Sequence, residues 1–212
     1  MCRLLLVKSS SPFDTAPHLR QFAYIAQHSK EYQGHGWGCG VLRNGEWQLY
    51  KTISPIWEDD VERFGSTTLL IAHARSAFQN QGIVVENNMP FFDGRYMFIF
   101  NGELRGVRLR MAGRTGAEKL FALIKKAQDS GDMAEAIRRT AELLQKRSRY
   151  IRAMNLIITD GSRAYVQTFF NEDSEYFTLR MKQEGPLLVV CSESYPDESG
   201  WRALTNRTVE VF

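Results

Sequence analysis

Four short blocks of this 212-residue chain hold side chains that could do amide chemistry. Cys2 stands directly after Met1. Removal of Met1 would leave Cys2 a free α-amine, with a reference pKa of about 7.7–8.0 beside a thiol of about 8.5. The two groups are matched near neutrality, so the amine can take the thiol proton, directly or through a water, without any histidine. Arg75 ends the run Leu69-Leu70-Ile71-Ala72-His73-Ala74-Arg75, where a strand end would aim its planar fork at a carboxylate. Asn101-Gly102 follows Met97-Phe98-Ile99-Phe100. A side-chain amide and a backbone N–H at that strand end could hold an oxyanion. Gly36-Trp37-Gly38 sets glycines on both sides of an indole, which lets a ligand or another segment come close to the backbone.

Each block has a plainer reading beside the chemical one. Cys2 can be a small residue before a buried strand, and Arg75 a surface or ion-paired arginine. Asn101-Gly102 can be an ordinary turn, and Trp37 the core residue of a bulged strand. Taken singly, His35 and His73 read as structural, and Cys39 and Cys191 as buried, inert thiols.

The elements that must position these blocks follow from apolar periodicity. Leu4–Val7 reads as a short buried strand that Ser9-Ser10-Ser11-Pro12 breaks. Asp14 or Thr15 caps a helix with Pro17 in its first turn. Asn44-Gly45 between two apolar runs predicts a hairpin. Thr68–Ala72 and Tyr96–Phe100 read as strands that end in the polar clusters His73-Ala74-Arg75 and Asn101-Gly102-Glu103. Helices are predicted from about Ala117 to Gln128 and after Asp132, where Glu135 completes a capping-box pattern. The remainder reads as strands at Asn155–Thr159, Ala164–Phe170, Glu175–Met181, Leu187–Ser192 and Thr208–Phe212.

Composition narrows the function classes. Hydrophobic residues make up 43% and charged residues 24% of the chain, which fits an ordinary globular protein of one domain. A formal net charge of +3 is too small to imply nucleic-acid binding, and no apolar run approaches the ~18 residues of a membrane span. The N-terminal apolar run is too short for a signal segment. Three cysteines show no disulfide framework and no zinc spacing, the four histidines show no metal-binding pair pattern, and a reducing, cytoplasmic setting fits.

Taken in order, Met1-Cys2, Gly36-Trp37-Gly38, His73-Ala74-Arg75 and Asn101-Gly102-Glu103 resemble the glutaminase domain of the class II glutamine amidotransferases, in their short stand-alone form. Ser192-Glu193-Ser194-Tyr195-Pro196 with the later Trp201 is similar as well. The resemblance spans residues 1–212 as one domain. It implies an α+β fold: a four-layer αββα N-terminal-nucleophile hydrolase sandwich of two mostly antiparallel sheets flanked by helices. It implies Cys2 as nucleophile and Asn101 with the Gly102 N–H as oxyanion hole. Arg75 would hold the substrate carboxylate, with Gly36, Trp37, His73 and Glu103 in the substrate-binding set. The substrate would be glutamine or a γ-glutamyl amide, cleaved through a thioester, and ammonia could pass to a synthase subunit in trans. The resemblance also implies that no metal or organic cofactor is needed.

Three positions depart from that pattern. The family's acid for the substrate α-amine falls on Gly116, within Gly113-Arg114-Thr115-Gly116-Ala117-Glu118. Its absence removes a charge-assisted contact worth roughly 1.5–3 kcal/mol, unless Glu118 or another acid substitutes. Phe100 and Met89 stand where the family has histidines. The implied pocket is more apolar, and the alternative is a catalytically impaired binding or regulatory module on the same fold.

Overall fold

The computed structural model describes residues 1–128 and 131–212. Leu4 and Leu6 of its first strand, β1 (Arg3–Asp14), share one buried cluster with Leu69 and Ile71. Leu5 and Val7 share another with Leu19, Phe22 and Ile25. The two-residue period of a strand thus feeds two cores from one segment.

Helix α1 (Thr15–Gln27) follows, with the Asp14 carboxylate accepting from the Ala16 N–H as its cap. Strands β2 (Trp37–Arg43) and β3 (Glu46–Thr52) form the expected hairpin, with Asn44 and Gly45 both at positive φ. Then come β4 (Ser66–Ala74), β5 (Phe91–Phe92) and β6 (Met97–Arg105). Helices α2 (Gly116–Gln128) and α3 (Met133–Arg147) precede β7 (Tyr150–Thr159) and β8 (Ala164–Thr168). The chain ends in α4 (Ser174–Phe177), β9 (Arg180–Glu184), β10 (Leu187–Cys191), β11 (Arg202–Ala203) and β12 (Thr208–Val211).

The strands make a seven-stranded sheet, β11-β9-β10-β1-β4-β2-β3, and a five-stranded sheet, β12-β8-β7-β6-β5. All described strand pairings are antiparallel. β1 and β4 pack across onto β6, so the sheets lie face to face. α1 covers the outer face of the larger sheet through Leu19, Phe22 and Ile25. α2 covers the other outer face, where Phe121 stacks on Phe98 with ring centroids 4.8 Å apart. The layers run helix, sheet, sheet, helix, as the resemblance implies. No described helix is long and apolar enough to cross a membrane.

Three local expectations are corrected. β1 does not stop at the serine run: its pairing with β4 resumes at Phe13 and Asp14, and the intervening residues bulge out. Pro12 sits in that unpaired stretch, where its missing N–H breaks no ladder. Asn101-Gly102-Glu103 lies inside β6 rather than beyond its end, because β7 continues to pair with it through Ala153 and beyond. Glu175–Met181 is not one strand. Its first part turns into α4, which brings both Tyr176 and Phe177 into a buried cluster with Ala153.

Candidate functional site

β1 and β4 pair with Arg3 opposite Ala74, which sets Cys2 beside the segment that leaves β4. The Cys2 Sγ accepts from the Ser76 N–H at 3.4 Å and lies 3.7 Å from the Ser76 carbonyl. Burial pushes the thiol pKa up; the N-terminal ammonium, the Ser76 N–H and the Arg75 charge pull against it without cancelling it. Arg3 fixes the start of the strand by an ion pair to Glu193 at 2.9 Å and by lying 4.1 Å over the Tyr176 ring.

Met1 is held at both ends. Its carbonyl accepts from Gln33 Nε2 and from the Tyr176 hydroxyl, each at 2.6 Å. Its ammonium pairs with Glu31, which also receives Arg152 at 3.0 Å. Burial acts to raise the Glu31 pKa, but those two cations outweigh it and the net shift is downward. Gln33 is fully buried, and its Oε1 has no partner among the described residues.

On the facing sheet, β6 and β7 set Asn101 directly opposite Asn155. Asn101 is 1% exposed, and neither atom of its amide has a hydrogen-bond partner among the described residues. Gly102 follows with no room for a side chain: a Cβ there would meet the Ala153 carbonyl oxygen at 2.2 Å. β5 pairs with β6 only at Met97 and Phe98. Among the described residues, one edge of β6 farther along therefore has no strand beside it, and alternate backbone groups are left off the ladder.

Arg75 is buried just past β4. Its Nη1 donates to Asn88 Oδ1 at 2.9 Å, and Asn88 in turn donates to the Thr52 carbonyl at 2.6 Å. Burial lowers the guanidinium pKa, and Cys2 opposes that shift. Gly36, at φ 107°, lets this asparagine approach: a Cβ there would stand 2.1 Å from Asn88 Nδ2. His35 and Gly36 bracket Arg75 by backbone hydrogen bonds of 3.1 and 2.9 Å. His35 Nδ1 also accepts from the Ala77 N–H at 2.9 Å.

A cavity of about 720 Å³ opens beside Cys2. Cys2, Gly102 and Glu103 line it, and Asn101 is buried next to Gly102. Arg75, Gly36, Trp37 and His73 are not in the lining. The Trp37 indole is fully buried in the outer core and donates to Asp59 at 2.9 Å. His73 is fully buried; burial first and the Arg75 charge second hold its pKa down to about 3. Glu103 is ion-paired with Arg105. Glu118 is not on the lining: it receives the Arg114 guanidinium and the Arg114 N–H. Gly116 is on the lining, and a Cβ there would meet nothing within 4 Å.

Sequence reasoning missed Glu31, Gln33, Ser76, Arg152 and Tyr176. Ser76 carries a signal, since it adjoins Arg75. The other four have none, because only the tertiary fold brings positions 31, 33, 152 and 176 to the chain start. No group of three or more metal-ligating side chains occurs among the described residues.

No protein family model matches the chain. Solved structures do. A glutamine aminotransferase class-II domain protein from Silicibacter pomeroyi superposes with a TM-score of 0.64 at 17% identity, over 97% of this chain and 92% of that one. The glutamine phosphoribosylpyrophosphate amidotransferase of B. subtilis gives 0.69 at 15% identity, over 100% of this chain and 49% of its own. This is the class II glutamine amidotransferase fold. On that fold, Cys2 and the Asn101-Gly102 pair approach one cavity from two different sheets. A predicted glutamine amidotransferase from Pseudomonas aeruginosa PA01 is also similar, with a TM-score of 0.57 at 16% identity over 100% and 97% of the two chains. In sequence, the γ-glutamyl-hercynylcysteine sulfoxide hydrolase of Mycobacterium tuberculosis CDC 1551 / Oshkosh is 26% identical over 224 residues, covering 100% of this chain and 93% of that protein. Its counterpart from strain H37Rv matches equally.

Proposed function

We propose that the chain is a glutaminase-type amidohydrolase that cleaves the side-chain amide of glutamine or of a γ-glutamyl compound through a Cys2 thioester. One observation carries the reading: Cys2 and Gly102 line the same cavity, and Asn101 beside Gly102 is buried with neither atom of its amide paired among the described residues. A buried amide without partners costs stability, and such a cost is retained where the group acts on something else. The relatives named γ-glutamyl-hercynylcysteine sulfoxide hydrolase support a γ-glutamyl amide as substrate.

In the proposed sequence Met1 is removed and the Cys2 α-amine takes the thiol proton. The sulfur attacks the amide carbonyl carbon. The carbonyl oxygen becomes an oxyanion, held by the Asn101 amide and a backbone N–H at Gly102. The carbon–nitrogen bond breaks, and ammonia or an amine leaves with the proton. Water then cleaves the thioester, giving a carboxylate and the free thiol. Arg75 would supply positive charge for the substrate carboxylate after a change of partner, since Asn88 now receives it. Cys39 and Cys191 take no part: burial pushes the Cys39 thiol far up and the Cys191 thiol to about 12. Their free, enclosed state fits a reducing, cytoplasmic setting.

The test is amine release from γ-glutamyl amides. Cys2→Ala is expected to lower kcat at least about a thousandfold; full activity in that variant would remove the proposal. Gly116→Asp has space for its side chain and is expected to raise kcat/KM for free glutamine about tenfold, from a contact of ~1.5 kcal/mol. An unchanged kcat/KM would show that position 116 does not read the substrate amine. A second reading, a binding module that keeps Met1, is favoured by the grip on both ends of that residue. Intact mass of the purified protein separates the two. Delivery of ammonia to a synthase in trans would appear as a co-purifying partner.

A further inference from the structure

We infer that the amide substrate carries a bulky apolar group, seated against the apolar part of the Cys2 cavity lining; this rests on the reading of Cys2 as the nucleophile. The lining has two chemistries. Cys2 and Ser76 share it with charged side chains. Phe100, Leu104, Leu109, Met111, Leu120 and Leu123 line the same space from β6, α2 and the connecting segment 106–115. Five charged side chains reach the lining: Glu31, Glu103, Arg105, Lys119 and Arg152. Four of them pair among themselves, Glu31 with Arg152 and Glu103 with Arg105, leaving Lys119 as the lining charge outside those pairs.

A charged group set against these leucines would lose its water without gaining a partner. An apolar group gains instead, because side chains around an open space lack dispersion partners on that side. Pockets of about 300–1,000 Å³ hold drug-sized ligands, and this one falls in that range, larger than a single side-chain amide needs. Gly116 opens α2 onto the same space with no side chain to fill it.

Two homologous series test this: γ-glutamyl n-alkylamides from methyl to octyl, and N-acyl glutamines from acetyl to octanoyl. In one series kcat/KM is expected to rise roughly fourfold per added methylene until the space is filled. Ala117→Phe, which places a ring in the same lining, is expected to cut the octyl-to-methyl preference at least tenfold. Alkylation of Cys2 in the unmodified chain, by iodoacetamide against N-octyl iodoacetamide, gives a readout that needs no turnover. Faster, saturable labelling by the octyl reagent supports the inference. If no amide is cleaved yet that labelling preference holds, the hydrolase reading fails and the apolar site stands. Flat chain-length dependence in both assays overturns the inference.

Discussion

Asn101 and Asn155 face each other across adjacent strands, are almost wholly buried, and have the same side chain. Their circumstances are opposite. Asn155 Nδ2 donates to the Phe177 carbonyl at 2.6 Å, and its Oδ1 accepts from the Phe169 N–H at 2.8 Å. It ties α4 and the end of β8 to β7. Asn101, on the adjacent strand, binds nothing among the described residues. One asparagine ties elements of the fold together, and the other, on the proposed function, is kept for a reacting group. Burial and residue type do not distinguish them; partners do.

Exchange of each residue should separate the two roles. Asn101→Ala is expected to lower kcat about 100- to 1,000-fold, the range for losing one oxyanion donor. The same change should leave the urea midpoint unchanged or raise it, because an unpaired buried amide is removed. A large loss of stability would show that Asn101 is structural after all. Asn155→Ala leaves a buried carbonyl and a buried N–H unmatched, and is expected to cost about 3 kcal/mol of stability by chemical denaturation. An undiminished midpoint would erase the contrast.

His73 sharpens the comparison, since it too is buried, on the facing sheet, with the Phe100 backbone as a weak partner that does not offset the burial. Its pKa is depressed to about 3, so between pH 6.5 and 3 the unfolded chain binds a proton that the folded chain refuses. Stability contributed by the neutral ring is complete above pH 6.5 and is lost as pH falls towards 3. From pH 6.5 to 5 its share is about 2 kcal/mol. Denaturation at those two pH values should show a shallower slope in His73→Leu; identical slopes would place the pH dependence elsewhere.

The glycine-flanked blocks carry a similar lesson about legibility. Gly36-Trp37-Gly38 reads in the sequence as a close approach to the backbone, and Asn101-Gly102 as an oxyanion pair at a strand end or a plain turn. In the fold, Gly36 makes room for Asn88, which holds Arg75, while Trp37 belongs to the outer core. Gly102 makes room for β7 at Ala153 and brings β6 to the cavity. Sequence spacing identified the first as a close approach and did not show the second. It could not say what approached, because the partners come from positions 52, 88 and 153.

The alternation of Leu4 to Val7, the Asn44-Gly45 turn and the Asp14 and Asp132 caps are local, and the sequence by itself determined them. Nearest-neighbour sterics and short-range hydrogen bonds suffice for such features. The ordered motif blocks likewise identified the sandwich. Only the tertiary structure decided that β6 runs on past Asn101 and that Glu118 is taken by Arg114. It alone gathered Glu31, Gln33, Arg152 and Tyr176 around the first two residues. Those outcomes depend on which distant strand or helix lies alongside. That is set by the burial of whole faces, which no short stretch of sequence contains.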